Sequence, residues 1–535
     1  MPELDLIIRS KNVYDMVGEP RPLSIGVIAD RIVEVSETIT SDAKQILDFG
    51  DKTILPGFND AHCHTVWFGL SLQEIDCNNA SSLDQLYEEI AKRASSVGED
   101  EWVTASGYNQ LRFDGYPDIK ALDKASRGRP VIIRHTSGHS CIVNSKAYEM
   151  AGLSEVRDDP SIIYDSDGFF TGLLEERAQV RVQALILPKS QDDIVNSIDL
   201  ATQVYASEGI TSFSETGIGG GWIGHSELEF AAYQTALEQQ KLHSRAQLMP
   251  VSDSLKPIKG NSSDPHKLGL DLGIRTGAGN EMLSIGPVKL FMDGSLVART
   301  AAMTEEFNGG EPGNFGYLQE DESTLRTKVI GAAASGWSVA AHALGDKAVN
   351  LAIEFFEEAI KKYGNPRIPH RIEHGGVVTD AALRKAISLG VHIVPQPGFF
   401  PTLGKQMRES IGSRTEISHR VAVPLKYGAV VPGSSDRPVA NGAPLSVIQS
   451  FVQRLDEDGL IYGPDERVDA KTALSCYTKG SAIVTGYESS KGTLEVGKLA
   501  DLVVLDQDPV SVEVDEISGI GIKMTVLGGQ VSYER

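Results

Sequence analysis

The chain has few cysteines and no long apolar run, and both absences exclude classes of protein. Only four of its 535 residues are cysteine, and no two of them have C-x-x-C spacing. A disulfide-stapled fold and a thiolate zinc site are therefore not expected. No stretch approaches the roughly 18 apolar residues of a transmembrane helix, and the N-terminal MPELDLIIRSKNVYD has charges where a signal peptide would be apolar. We expect a cytoplasmic protein with no membrane span.

Basic residues are also in short supply. Fifty lysines and arginines stand against 73 aspartates and glutamates, which gives a formal net charge of −23 at pH 7. Such a surface repels nucleic-acid phosphates and anionic lipids, so we expect neither nucleic acid nor a membrane surface as a partner. The rest of the composition, with 41% hydrophobic and 23% charged residues, is that of an ordinary globular protein.

The two ends of the chain share a strand-rich pattern. Apolar and polar residues alternate with a period of two in LDLIIRSKNVYD and LSIGVIADRIVEVSE near the start, and again in KGTLEVGKLADLVVLD near the end. This texture predicts one small β domain built from both termini. The alternative is that each end only adds edge strands to the main body.

The middle of the chain alternates β-type runs with helical stretches, which is typical of α/β folds with parallel strands. Eight such runs with helical crossovers match the number in a (β/α)₈ barrel. The runs are 54–64, 210–216, 244–251, 285–294, 337–344, 370–375, 391–397 and 428–436. The gap between the first two is too long for a simple crossover, so we interpret about 72–200 as an inserted subdomain after barrel strand 1. Long insertions in barrels usually occupy loops at the carboxyl ends of the strands.

Two histidines, His62 and His64, close the first candidate strand in FNDAHCH. Side chains two apart on a strand point to the same face, so the pair presents two imidazoles to one point. Imidazole is a standard ligand of zinc and related transition metals. Asp60 adds a carboxylate on the same face, which favours a metal site.

Three further polar residues each end a candidate strand: His342 in VAAHALGD, His374 in RIEHGG and Asp436 in VPGSSDRP. Singly, His342 and His374 could be ordinary partners of nearby backbone, and an Asp before Arg-Pro would normally be a turn residue. Their shared position favours an active site, because the catalytic groups of α/β barrels collect at the carboxyl ends of strands. The histidines in polar surroundings are interpreted as surface or structural residues: His225, His243, His266, His370 and His419.

Lys289 stands in the otherwise apolar run IGPVKLFMDG and shares a face with Phe291 and Asp293. A lysine that points into a barrel is costly unless it is paired or functional. One interpretation is an ion pair with Asp293. The other is that burial lowers its pKa until the neutral amine reacts with carbon dioxide, giving a carbamate that serves as an anionic metal ligand.

These motifs together resemble the amidohydrolase superfamily of metal-dependent hydrolases. The similarity is to its family 3 branch, which contains the YtcJ-like proteins and the N-substituted formamide deformylases. It extends from about residue 4 to residue 530. The motifs that carry it are LPGFNDAHCH, GHSCIVNSKAYEMAGL, VKLFMDGSLVARTAAM, AAHALGDKAVN, RIEHGG, GSSDRPV and KGTLEVGKLADLVVLDQDP.

The resemblance implies a fold and a site. The fold is an α/β protein with a (β/α)₈ TIM barrel over 56–487, a β-sandwich domain from 1–55 plus 488–535, and the insertion. The cofactor is one or two divalent transition-metal ions, zinc foremost, with manganese or cobalt as alternatives. The implied metal ligands are His62, His64, Lys289, His342, His374 and Asp436, of which Lys289 and Asp436 are also catalytic.

The implied reaction is hydrolysis of a non-peptide C–N bond in a small-molecule amide or N-substituted formamide. Hydroxide formed at the metal attacks the carbonyl, and Asp436 moves a proton to the departing nitrogen. His139, Asp293 and Arg299 are weaker candidates for substrate binding. A homo-oligomer such as a dimer stays open.

Three rival functions remain. Ring-opening of a cyclic amide fits the same site. Deamination is disfavoured by the resemblance, because such deaminases lack the strand-four lysine and carry H-x-x-E at strand five, whereas here Asp346 is four residues beyond His342. A non-catalytic regulatory protein on a retired scaffold would have lost some of the six ligand positions, and all six are present.

Overall fold

The computed structural model of the protein describes residues 3–113, 115–187, 189–221, 223–264 and 267–535, so His266 lies outside the described residues. The chain divides into two compact units. One contains residues 1–64, 202–218 and 236–535, and the other contains residues 65–201 and 219–235. Across the described residues, no helix combines the length and the apolar character needed to cross a membrane.

The β-strands of the described residues are, in chain order, β1 Leu4–Val13, β2 Arg21–Ile28, β3 Arg31–Ser36, β4 Ala43–Asp48, β5 Thr53–Pro56, β6 Phe58–Cys63, β7 Ile75–Asp76, β8 Val103–Tyr108, β9 Val131–His135, β10 Ser140–Val143, β11 Ile162–Tyr164, β12 Phe170–Glu175, β13 Ile210–Ile218, β14 Arg245–Pro250, β15 Lys256–Pro257, β16 Leu268–Gly269, β17 Leu283–Ile285, β18 Val288–Phe291, β19 Val339–Ala343, β20 Arg371–His374, β21 His392–Val394, β22 Leu502–Leu505, β23 Ile522–Leu527 and β24 Gln530–Glu534.

The α-helices of the same residues are α1 Thr65–Ser71, α2 Leu83–Ser96, α3 Gln110–Phe113, α4 Ile119–Ser126, α5 Ser145–Met150, α6 Gln179–Ile186, α7 Gln191–Ser207, α8 Glu229–Glu238, α9 Glu322–Ala334, α10 Asp346–Tyr363, α11 Asp380–Leu389, α12 Phe400–Ile411, α13 Ala422–Lys426, α14 Pro444–Gln453, α15 Ala470–Ser475 and α16 Ser481–Val484.

One sheet contains strands from both ends of the chain. Its order is β24-β23-β22-β5-β1-β2-β3, with β4 paired to β1. The two ends meet where β22 runs antiparallel to β5, with Val503 opposite Leu55. Alternate apolar side chains from both ends, among them Ile8, Ile54 and Leu502, form one buried cluster. The period-two alternation of both termini therefore covers one shared core.

Two four-stranded parallel sheets follow the chain order. The first is β17-β14-β13-β6 and the second is β18-β19-β20-β21, so consecutive strands are neighbours. The helices α9, α10 and α11 each lie along the chain between two consecutive strands of the second sheet. This alternation of parallel strands and helices is that of a TIM-barrel-type α/β fold.

The first predicted barrel strand, 54–64, is wrong as a single strand. It breaks at Gly57: β5 before the break belongs to the two-ended sheet, whereas β6 after it pairs with β13. A Cβ at Gly57 would overlap the Thr211 side chain, so only glycine lets the chain pass between the two sheets so close to β13.

Two other predicted strands also differ. The run 285–294 is two strands, β17 and β18, separated by Gly286 and by Pro287, which has no N–H to donate. The run 428–436 does not form a regular strand. Its hydrogen bonds to β6 include those from Ala61 N to the Gly433 carbonyl (3.0 Å) and from Asp436 N to the His62 carbonyl (2.8 Å).

The second compact unit, 65–201 with 219–235, has a sheet of its own, ordered β11-β12-β10-β9-β8-β7. Helix α2 is capped by Ser82, whose side chain accepts from Gln85 N. The apolar stripe of the helix, Leu86 and Ile90, is buried with Val103 and Val131. The predicted insertion, 72–200, falls within this unit.

Lys491 is a buried lysine between α16 and β22, with its Nζ 4.8 Å from the Tyr487 ring centroid. Burial lowers the pKa of its amine from 10.5 to about 7. Between about pH 7 and pH 10.5 the Lys491 amine holds a proton in the unfolded chain but has released it in the folded chain. The free energy of unfolding therefore rises with pH across this window.

Replacing this lysine by methionine, Lys491→Met, removes that dependence. We expect the variant to exceed the wild type in free energy of unfolding at pH 7, and the difference to shrink towards pH 10. Urea unfolding at several pH values measures it. If the difference in free energy of unfolding between the two proteins stays constant with pH, the lowered pKa of Lys491 is contradicted.

Candidate metal centre

Three side chains from two distant parts of the sequence converge on one point. The Nε2 atoms of His62 and His64 lie 3.1 Å and 3.0 Å from the same oxygen, Oδ1 of Asp436. The ligand-type atoms of the three residues all lie within 4.8 Å of one another, and all three side chains are buried. Strand β6 places His62, and Asp436 reaches it because its backbone N–H donates to the His62 carbonyl.

The converging atoms are poorly satisfied by the protein itself. His62 Nε2 and Asp436 Oδ1 are buried, and among the described residues neither has a hydrogen-bond partner in good alignment. Burial alone would raise the pKa of the Asp436 carboxyl, but the adjacent His62 and His64 hold it well below its ordinary value. Burial also lowers the pKa of His64. The site thus combines an ionised carboxylate with a neutral imidazole, which is the ionisation state that a metal requires.

His374 and His342 extend the cluster from β20 and β19. The ring centroids of His62 and His374 are 4.9 Å apart, and those of His374 and His342 are 4.6 Å apart. Nδ1 of His374 is 2.8 Å from Oε1 of Gln396, an acceptor, so this nitrogen carries the proton and Nε2 keeps its lone pair. Nε2 of His342 is 3.0 Å from the Gly294 carbonyl oxygen.

The backbone at two of these positions is strained. His374 has φ of 73° and Asp436 has φ of 57°, in the left-handed region that non-glycine residues rarely adopt. Such residues cluster at functional sites, where the surrounding structure compensates a cost of about 1–3 kcal/mol each.

Lys289 lies on β18 and is 1% exposed. Burial lowers the pKa of its amine to about 8, against the opposing charges of Glu373 and Asp436. Within the described residues its Nζ has no hydrogen bond or ion pair, and it lies 5.1 Å from the Phe291 ring centroid.

The alternative of an ion pair with Asp293 is wrong, because the Asp293 carboxylate accepts from the backbone N–H groups of Ala302, Leu344 and Gly345 (2.8–3.0 Å).

Glu373 and Arg371, which the sequence reasoning missed, support His62 from behind. Oε2 of Glu373 is 2.5 Å from Nδ1 of His62, and Arg371 binds both oxygens of Glu373 and also donates to the Ala61 carbonyl. All these side chains are fully buried. Burial would raise the pKa of Glu373, but Arg371 and His62 hold it well below its usual value. The period-two pattern of RIEH places Arg371 and Glu373 on one face of the strand. This shared face was the signal from which the pair could have been predicted.

Asp60 and the weaker candidates have other partners. Asp60 accepts from the backbone N–H groups of His62 and Ser435 (both 3.1 Å), so it joins β6 to the segment that contains Asp436. Burial raises its pKa to about 6. The Arg299 guanidinium donates to the Asn308 carbonyl (3.1 Å). In the second unit, His139 Nδ1 lies 3.1 Å from the Glu176 carboxylate.

Two of the histidines interpreted as surface or structural residues, His370 and His419, are buried. His370 stacks on Phe356 with 4.9 Å between ring centroids, and its Nδ1 accepts from Val339 N. His419 packs against Phe399, and its Nδ1 accepts from Gln396 N. Both have structural partners.

Comparison with known proteins identifies the family. A model of the amidohydrolase family matches residues 45–533. The chain belongs to the amidohydrolase family. It is 27% identical to the Bacillus subtilis protein YtcJ, whose name proposes an amidohydrolase, over 98% of each chain. It is 25% identical to an N-substituted formamide deformylase of Arthrobacter pascens, over 94% of this chain and 92% of the other.

The fold has a counterpart of known structure. An uncharacterized metal-dependent hydrolase from Pyrococcus horikoshii superposes with a TM-score of 0.75 at 24% identity, over 96% of this chain and 99% of that one. This likeness and the family assignment support a TIM-barrel-type α/β fold with an extra domain. The family assignment also supports a hydrolase that uses a divalent metal.

The residues present fit such an ion. A divalent cation at the convergence point would satisfy the two buried atoms that lack an aligned partner, His62 Nε2 and Asp436 Oδ1. Two imidazoles and one carboxylate are a donor set for zinc, manganese or cobalt rather than for calcium or magnesium. The His62–Glu373 contact is the carboxylate–histidine support that metal ligands ordinarily have.

Proposed function

We propose that this amidohydrolase cleaves the C–N bond of a small linear amide or an N-substituted formamide. The observation that carries the proposal is the convergence of two imidazole nitrogens on one buried, ionised carboxylate oxygen. The similarity to the Arthrobacter pascens deformylase supports the choice of bond. A transition-metal ion held there, with zinc as the first choice, would supply hydroxide at neutral pH and would polarise the carbonyl.

Each residue of the centre has its own role in this proposal. His62, His64 and Asp436 would hold the ion, and His374 and His342 would add ligands from neighbouring strands. His374 would bind through Nε2, since its Nδ1 is engaged with Gln396. Lys289 would become an anionic ligand if its neutral amine adds to carbon dioxide through a new N–C bond and releases a proton. Asp436 would take a proton from the nucleophile and deliver it to the departing nitrogen.

A substrate panel tests the reaction class. The protein, stripped and reloaded with zinc, manganese or cobalt, is assayed on N-substituted formamides, acyl amides, cyclic imides, aminated heterocycles and esters. We expect amine release from a formamide or a linear amide, abolished by chelation. Faster opening of a cyclic imide, or ammonia release from a heterocycle, would replace the proposed reaction. Bound metal with no turnover of any compound would favour a binding protein.

Asp436→Asn tests the proton transfer. We expect kcat on an amide to fall by about 10²–10⁴-fold, because an amine leaves only when its nitrogen is protonated. The loss should be smaller on an activated ester, whose leaving group needs no proton. Equal losses on both substrates would make Asp436 a ligand only. Asp456→Asn removes another buried carboxylate, one bonded to the backbone of Asp458 and Leu460, and should leave this amide-to-ester ratio unchanged.

Glu373→Gln tests the support of His62. We expect the dissociation constant of the metal to rise about 10–100-fold, because the amide accepts a weaker hydrogen bond from His62 than the carboxylate does. Competition with a chelator measures it. Glu466→Gln is the matched control, since Glu466 is also a buried carboxylate bonded to an arginine, Arg420. Equal metal affinity in the two variants would contradict the role of Glu373.

A further inference from the structure

A cavity of about 520 Å³ lies away from the candidate metal centre. It is lined by residues 273–278, Gly336 and residues 366–368. Gly336 and Ile368 stand three residues before β19 and β20 begin, whereas His342 and His374 lie at the other ends of these strands. The cavity therefore lies at the amino-terminal ends of β19 and β20, and the candidate metal centre lies at their carboxyl ends. A ligand of the cavity would not be the substrate of the metal centre.

The cavity is positively charged in an acidic protein. Its lining contains Arg275 and Arg367 and no carboxylate, although the chain has a net charge of −23. Almost every arginine whose side chain is described has a hydrogen bond or an ion pair within the protein. Only four have neither, and two of these four line this one cavity. The four are Arg127, Arg181, Arg275 and Arg367.

The wall that carries Arg275 is held in place. Thr276 Oγ1 donates to the Gly286 carbonyl and accepts from Ser338 N (both 3.0 Å), and Gly277 N donates to the Ile285 carbonyl (2.8 Å). Gly336 has φ of +80°, and a Cβ there would overlap the Arg275 guanidinium. The glycine thus leaves room for the arginine at the cavity wall. Apolar side chains complete the lining, among them Ile274, Pro366 and Ile368.

We propose that this cavity binds a small organic dianion. Guanidinium groups bind carboxylate and phosphate oxygens in bidentate fashion, so two unpaired arginines can hold two negative charges. The apolar lining fits the carbon part of such a molecule, and the volume lies in the range of small-molecule sites. A phosphate monoester and a dicarboxylate share this chemistry, and the probes distinguish them. The proposal does not depend on the reaction at the metal centre.

Calorimetry with phenyl phosphate, succinate and acetate tests the proposal at constant ionic strength. We expect saturable binding of phenyl phosphate or succinate with a dissociation constant of about 1 mM or lower. Acetate, with one charge, should bind at least about tenfold more weakly. Tighter binding of phenyl phosphate would identify a phosphate ligand, and tighter binding of succinate a dicarboxylate. Binding should persist in His62→Ala, which separates this site from the metal centre.

Arginine variants locate the site. Arg275→Ala and Arg367→Ala should each weaken binding of the dianion about tenfold or more, because each removes a charge-assisted bidentate contact. Arg181→Ala is the matched control, since Arg181 is an exposed and unpaired arginine on α6, and it should leave binding unchanged. No saturable binding to the wild type, or equal weakening by Arg181→Ala, would overturn the proposal.

Discussion

His62→Ala is expected to abolish both metal binding and hydrolysis while the fold remains. His62 supplies one of the nitrogens that converge on Asp436 Oδ1, and it is the residue that Glu373 supports. Its loss removes a metal ligand and also removes the imidazole that the Glu373 carboxylate contacts. We expect metal content, measured by elemental analysis, to fall from one or two ions per chain to near zero. The far-ultraviolet circular dichroism spectrum should be unchanged.

A buried histidine elsewhere in the same unit is the control. His370→Ala removes the ring that stacks on Phe356 and accepts from Val339 N. We expect it to cost stability through lost packing, with metal content and kcat close to those of the wild type. Full activity of a metal-free preparation, or normal metal content in His62→Ala, would refute the metal centre.

Lys289→Ala is expected to reduce metal content and to collapse kcat. If Lys289 is carboxylated, the alanine variant loses an anionic ligand and leaves a cavity about the size of a short carboxylate. Acetate or propionate at millimolar concentration should then restore part of the activity, saturating with concentration. The same additives should have no effect in His62→Ala, where a different ligand is missing.

The carbamate has a direct signature as well. The wild type should carry about 44 Da of additional mass at Lys289 under non-denaturing and non-acidic conditions, since that is the mass of one carbon dioxide. Lys491→Met is the matched control, because Lys491 is also a buried lysine and its charged surroundings are Asp501, Arg245 and Glu281. It should keep full metal content and respond to no carboxylate. A fully metallated, active enzyme with an unmodified Lys289 and no rescue would exclude the carbamate.

Much of the architecture could be predicted from local patterns. The period-two alternation in LDLIIRSKNVYD and KGTLEVGKLADLVVLD identified strands at both ends. In β1 the exposed Arg9 and Lys11 alternate with buried residues, whereas β22 is buried along its whole length. The same period put His62 and His64 on one face. His342 and His374 were found because each ends an apolar run, and a polar residue there is visible without any knowledge of its neighbours.

Contacts between residues far apart in the chain could be identified only from the tertiary structure. Glu373 lies 311 residues from His62, and no local pattern reports that a carboxylate inside a strand will meet an imidazole from another strand. Asp293 looked like a partner of Lys289 because the two share a strand face, yet backbone N–H groups of a neighbouring loop bind its carboxylate instead. The break at Gly57 likewise depends on Thr211, which local alternation does not include.

The sequence by itself determined the strand-rich ends, the α/β middle and the face on which each histidine stands, because these follow from periods of two and 3.6 residues. Only the tertiary structure decided that His62, His64 and Asp436 meet at one oxygen, that Arg371 and Glu373 support them, and that two unpaired arginines share a cavity. Such meetings depend on how strands and loops far apart in the chain pack together, and packing is a property of the whole fold rather than of any segment.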